Sequence, residues 1–212
     1  MMTSGTSSSR HKTEGVVMQR PERSLKYRLQ LIWFVVAMAV AVPAAGAAAE
    51  LEGVTFAESY QAGSTTMRLH GVGLARFLRT IKVYVAALYL APGAKPETVL
   101  DDVPKRLELS YFRALKAGDF GRAADKVLAD NVPPATIAAL KPRIERLHRL
   151  YEDVKPGDRY GLTYVPEVGT ELALNGQRKG IIEGADFAAA YFSIWLGPDP
   201  INEALKDGLL NR

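Results

Sequence analysis

The stretch from Gly71 to Leu90 (GVGLARFLRTIKVYVAALYL) constrains the fold more than any other part of the chain. Ile81 to Leu90 holds Ile, Val, Ala, Leu and Tyr with a single Lys, too β-branched and aromatic for a surface helix. It predicts a strand buried on both faces, and with it a sheet built around a pocket. Gly71 and Gly73, just ahead, point to a bulge or to a close approach of another backbone.

The first 49 residues read as targeting rather than fold. Arg20 to Arg28 is a basic run, Leu31 to Val42 is apolar, and the stretch to Ala49 is rich in small residues. That order is the signature of a secretory signal, with cleavage expected before Glu50 and a periplasmic or secreted product. The apolar core falls short of the roughly 20 residues a spanning helix needs; counted leniently from Leu29 to Ala49 it reaches that length, so an uncleaved anchor is the alternative. The Ser/Thr-rich stretch before Met18 has no role in either case, which makes Met18 an alternative start to Met1. Residues 50–212 are then the folded domain.

Charge follows the same division. The chain has 27 Lys/Arg and 23 Asp/Glu, but residues 1–49 hold six of the former and two of the latter, leaving 21 of each in the domain. The basic balance therefore belongs to the targeting segment, and a nucleic-acid partner is not indicated. With no cysteine, an exported domain must stand on its core alone.

Strands are expected at Val54–Tyr60, Thr66–Leu78, Ile81–Leu90, Lys105–Ala114, Arg159–Val165, Thr170–Asn175 and Gln177–Ile182, the last two joined by the hairpin signal Asn175-Gly176. Steps of three and four predict helices over Gly118–Asn131 and around Ile137–Tyr151, where Pro142 is a kink or a start. Ala185–Leu196 is apolar nearly all round, as in a buried helix ended by Gly197. A last helix is expected from Asp199-Pro200. Hairpin connections instead of βαβ alternation make the class α+β, with a large, mainly antiparallel sheet backed by a layer of helices.

Most catalytic signatures are missing. His70 and His148 lie far apart without metal-ligand spacing, and no glycine-rich phosphate loop opens a helix. What stands out is arginine in apolar register. Arg113 shares the phase of Leu107, Leu109 and Tyr111, and Arg76 that of Leu74 and Leu78. Each is either an internal ion pair or rim residue, or an anchor for a carboxylate, phenolate or enolate. Tyr84, Tyr89 and Tyr111 add hydroxyls that could complete a polar end to an apolar cavity, or could bond only to backbone. Trp195 is most simply core.

Four segments, GVGLARFLRTIKVYVAALYL, LELSYFRALKAGDF, KPGDRYGLTYVPEVGTELALNGQ and GADFAAAYFSIWLGPDP, occur in an order that resembles the bacterial exported branch of the chalcone isomerase-like superfamily. The resemblance covers most of residues 52–210. It implies a large antiparallel sheet backed by helices with a ligand cleft between them, in a family that includes plant chalcone isomerases and non-catalytic fatty-acid-binding proteins. In the enzymes an arginine positions the substrate and stabilises the enolate, and Arg76 is the residue that matches it, with about four fewer residues between it and the next strand. Elsewhere the pattern departs. The water-positioning threonine falls at Tyr84, the late-helix Ser/Thr at about Ile194, and the catalytic tyrosine has no counterpart, Ala124 being nearest. Asn131 survives, and Tyr111-Phe112-Arg113 resembles the family's Phe-Tyr-Arg, which leaves Arg113 either structural or a second anchor for the ligand's head.

Together these readings imply non-catalytic binding of a small apolar ligand with an anionic or polar head, fatty-acid-like or phenolic, through Arg76, Tyr84, Tyr111, Arg113 and Asn131. No cofactor or metal is implied, and membrane contact arises only through an uncleaved N-terminal segment. An intramolecular lyase of chalcone isomerase type using Arg76, or a scaffold whose cavity is filled by its own side chains, are the alternatives.

Overall fold

The structure is a computed structural model that describes residues 47–212; the targeting signal read in residues 1–49 lies outside them except for its last three residues, Ala47 to Ala49, which stand in a strand. Seven strands run in sequence order as one antiparallel sheet: β3 (Ser59–Ala62), β4 (Thr65–Phe77), β5 (Ile81–Leu90), β6 (Lys105–Tyr111), β7 (Arg159–Val165), β8 (Gly169–Leu174) and β9 (Gln177–Ile182). Ahead of them β1 (Ala47–Leu51) and β2 (Val54–Ala57) form a separate hairpin. Helices α1 (Ala117–Asn131) and α2 (Pro134–His148) are inserted between β6 and β7, and α3 (Ala185–Leu196) and α4 (Glu203–Leu210) follow β9. The expected α+β meander with hairpin connections is what forms.

β5 has covers on both sides, as its composition demands. Ala86, Leu88 and Leu90 join the main core with Leu107, Leu162, Leu172, Phe187, Phe192 and Leu196, whereas Val85, Ala87 and Tyr89 pack with Phe56 and Met67 in a second cluster. The second cluster lies on the β1–β2 hairpin side. Glycines set how closely α4 approaches β4. A Cβ on Gly71 would sit 2.5 Å from the carbonyl oxygens of Gly208 and Leu209, and one on Gly73 2.5 Å from that of Leu205. The register also shifts between Leu69 and Gly71, so these glycines mark both a bulge and a close approach.

Other expectations need correction. The strand expected over Val54–Tyr60 breaks at Glu58 into β2 and β3. α2 starts at Pro134 and runs through Pro142, placing Tyr151 beyond its end. α4 starts at Glu203, because Asn202 supplies the N-cap oxygen to the Leu205 N–H at 2.9 Å, and Asp199-Pro200 lies in the link before it. The Asn175-Gly176 turn has positive φ at both residues, 50° and 79°, as a tight primed hairpin requires.

The face of β6 turned toward the hairpin carries the largest surprise. Arg106, 6% exposed, donates to Thr163 Oγ1 at 2.7 Å and Glu108 Oε2 at 3.1 Å, with its guanidinium 3.8 Å from the centroid of the Tyr60 ring. Arg159 donates to Glu108 Oε1 at 2.7 Å and to the Thr55 carbonyl at 3.0 Å. Glu108 thus joins two arginines and ties β6 and β7 to the small hairpin. On the helix side, fully buried Lys105 donates to the carbonyls of Asp101 and Val103, and burial pulls its ammonium down to about 8 against the opposing effect of Asp102 and Asp101.

Candidate functional site: a phenol-lined cavity under the sheet

A cavity of about 210 Å³ opens between the sheet and the helices. Its floor is Tyr84, Leu109, Tyr111, Tyr160, Leu162 and Leu172, and its roof is Phe120, Ala123 and Ala124 of α1 with Tyr191, Ile194 and Trp195 of α3. Tyr151 enters from the loop after α2, and Leu115, Asp119 and Ile201, all partly exposed, complete the lining. A register shift aims the strand. Ala75 pairs with Tyr84 but Arg76 pairs with Lys82, so Val83 is left over and lines the cavity beside Tyr84.

Aromatic rings give the cavity its shape. Phe120 stacks on Tyr151 at 4.8 Å between centroids, and the edges of Tyr111 and Tyr160 meet Phe120 at 5.7 and 5.4 Å. Their hydroxyls are unequally engaged. Tyr160 is tied to the backbone of Glu152, accepting from its N–H at 2.7 Å and donating to its carbonyl at 3.1 Å. Tyr151 and Tyr191 share one hydrogen bond of 3.1 Å. Tyr84 accepts from the Trp195 indole N–H at 3.2 Å, which leaves its own proton unassigned, and Tyr111 has no protein partner among the described residues.

Burial pushes the phenols of Tyr84, Tyr111, Tyr151 and Tyr191 well up, more strongly than the Trp195 bond to Tyr84 or the Tyr191 bond to Tyr151 pulls down. All four are neutral near pH 7 and therefore O–H donors. Asp119 is the one charged residue among those lining the cavity, and its carboxylate already bonds the Lys116 N–H at 3.0 Å and pairs with Arg122. The site offers hydrogen-bond donors to an acceptor set in apolar surroundings, and no cation to an anion.

Of the residues singled out from sequence, Tyr84 and Tyr111 are brought together here, their rings 5.5 Å apart. Arg76, Arg113 and Asn131 are elsewhere. Arg76 keeps the phase of Leu74, but that side of β4 faces the hairpin cluster; its guanidinium is half-exposed and lies 3.4 Å from Glu52, which also pairs with Lys82. Arg113 does not end an inward face, because β6 stops at Tyr111, Phe112 N–H bonds the Val83 carbonyl, and Arg113 turns out to solvent with Nε 3.3 Å from the Lys82 carbonyl. Asn131 is a clasp. Its Nδ2 donates to the carbonyls of Val127 and Asp199 at 2.9 and 2.6 Å, and its Oδ1 accepts from Asp199 N–H at 3.0 Å, binding the end of α1 to the link after α3. Sequence reasoning missed Phe120, Tyr151, Tyr160, Tyr191 and Trp195 as lining residues. Apolar spacing, helical for Phe120, Tyr191 and Trp195 and alternating for Tyr160 on β7, looks the same whether a ring meets core or cavity. Among the described residues, no group of three His, Cys, Asp or Glu is placed to hold a metal ion.

Similarity to known proteins agrees with this architecture. The structure is similar to a fatty-acid-binding protein of Arabidopsis thaliana, with TM-score 0.58 and 16% identity over 75% of this chain and 92% of that one, a likeness of fold. No curated protein matches the sequence. The profile of the chalcone isomerase-like family does match, over residues 48–211, and so takes in every strand of the seven-stranded sheet, all four helices and the residues that line the cavity. The chain belongs to the chalcone isomerase-like family.

Proposed function

We propose that this protein binds a small, largely apolar molecule in the cavity between sheet and helices, with a hydrogen-bond-accepting head held by the O–H groups of Tyr84 and Tyr111, and does so without catalysis. The observation that carries the reading is the pairing of two neutral phenols free to donate with walls that are otherwise hydrophobic. A cavity of ~150 Å³ holds benzene, and drug-sized sites start at ~300 Å³. At about 210 Å³ this one suits a substituted ring or the end of an acyl chain. The Arabidopsis protein of the same fold is a fatty-acid-binding protein, which supports the same ligand class. A carboxylic acid would sit here in its neutral form, because the lining supplies donors but no counter-ion. The isomerase alternative is less favoured on the same geometry: its matching arginine, Arg76, pairs with Glu52 away from the cavity.

Native mass spectrometry of the purified protein should show a co-purified ligand, and Ala124→Trp, which fills the cavity from α1, should be recovered empty and folded. A ligand retained equally by Ala124→Trp would move the site elsewhere. We also propose export, with cleavage before Glu50. Glu50 and Leu51 would then still pair with Thr55 and Val54, and an exported protein whose N-terminal sequence does not begin at Glu50 would refute the cut.

A further inference from the structure

The β4–β5 hairpin ends in a feature that neither the core nor the cavity uses. Phe77 and Leu78 are 60% and 72% exposed. Phe77 pairs with Ile81 across the loop Leu78–Thr80, in which Leu78 and Arg79 both hold left-handed backbone, φ 51° and 62°. A leucine fixed in that conformation at a solvent-facing tip is unfavourable on two counts, strain and exposure. Around the tip stand Arg76, Arg79, Lys82 and Arg113, all substantially exposed, and the carboxylate paired within this collar is Glu52. The charge is local, since residues 50–212 are balanced overall.

The tip also adjoins the cavity. Leu115 lines both the cavity and the outer cleft formed by Thr80, Ile81, Lys82 and Arg113. Asn202, next to the cavity residue Ile201, donates to the Arg76 carbonyl at 3.3 Å.

We infer that this hairpin tip docks on an anionic lipid surface, Phe77 and Leu78 entering the headgroup boundary while the arginines and Lys82 meet lipid phosphates, with the cavity beside the docked edge. An apolar tip inside a cationic collar matches both layers of such a surface, acyl below and negative charge above. The arrangement gives an apolar ligand a route from bilayer to cavity. Docking uses residues outside the ligand site, so an empty cavity and a failed docking are separately readable.

Because the chain lacks cysteine, Leu78→Cys in the full chain can carry a single environment-sensitive fluorophore. Val168→Cys is the control, at an exposed apolar residue (57%) beyond the far end of β7. The apolar N-terminal segment can itself hold the chain on vesicles, so the readout is the depth of residue 78, taken from quenching by spin-labelled lipid. With phosphatidylcholine–phosphatidylglycerol vesicles the label at 78 should be quenched and that at 168 should not. Arg79→Ser/Arg113→Ser should raise the lipid concentration for half-maximal quenching about 30-fold, at roughly fivefold per cation, and phosphatidylcholine alone should leave 78 in water. A label at 78 that stays in water on anionic vesicles, or responds equally to neutral ones, overturns the inference and leaves the tip to a protein partner.

Discussion

Glu108→Ala should cost about 3 kcal/mol of folding stability, read as a lower urea midpoint at unchanged slope. Arg106 is buried and Glu108 largely so, their side chains 8% and 17% exposed, and little solvent reaches Arg106 to replace a lost partner. Removing one member of such a pair strands the other, and the typical penalty is about 3–5 kcal/mol. Arg159, about one-third exposed, can turn to solvent; this puts the expectation at the lower end. Arg106 has nowhere to turn. Gly161 lacks the Cβ that would sit 2.5 Å from its guanidinium nitrogens, and Tyr60 closes the other side. The paired variant Arg106→Met/Glu108→Leu should recover most of the loss, because replacing both ions removes the stranded charge. A single-variant cost below about 1 kcal/mol, or a paired variant no better than the single, would show that the network does not hold the small hairpin to the sheet.

Gly73→Val should cost a similar amount for a different reason. The new Cβ would lie 2.5 Å from the Leu205 carbonyl oxygen and 2.9 Å from Leu205 Cδ1, and the first of these is backbone that cannot rotate aside. Overpacking of this kind costs about 1–3 kcal/mol, and the upper end applies because all of α4 must lift from β4. Amide exchange should report it locally, with Leu205 to Leu210 losing protection before the sheet does. Gly118→Ala in the first turn of α1 is the control; its Cβ meets only the end of the Arg122 side chain at 3.3 Å, and alanine favours a helix. If Gly73→Val leaves stability and α4 protection unchanged, α4 does not dock through the glycines.

These two sites show what could and could not be read from the chain. β5 and α3 were legible because burial on every side leaves a run with few polar residues, whatever the partner elements are. The same reading held a further consequence: a second covered face on β5 requires a cover, and a cover there also buries the outward charges of the next strand, Arg106 and Glu108. Alternation alone separates that face from the one with Leu107, Leu109 and Tyr111, because period 2 tells the faces apart without saying what lies above each. Arg113 was misplaced by extending the alternation two residues past the strand end, and Arg76 because phase with Leu74 says nothing about which side of β4 holds the cavity. β1 was hidden under small residues that equally well describe a cleavage site. The cavity's aromatic lining comes from six separate segments, carrying Tyr84, Tyr111, Phe120, Tyr151, Tyr160 and the pair Tyr191 and Trp195, whose meeting depends on tertiary contacts that no local spacing encodes.

The central claim is that paired neutral phenols, and not an arginine, hold the polar head of the ligand. Calorimetric titration of a medium-chain carboxylic acid into wild type, Arg76→Ala and Tyr84→Phe/Tyr111→Phe tests it directly. Each hydrogen bond to a neutral group contributes about 0.5–1.5 kcal/mol, so the double phenylalanine variant should bind about tenfold or more weakly while Arg76→Ala matches wild type. Affinity should also fall as pH rises above the acid's own pKa, since the neutral form is the one bound. Loss of binding in Arg76→Ala, with the tyrosine variant unchanged and affinity sustained at high pH, would contradict the account.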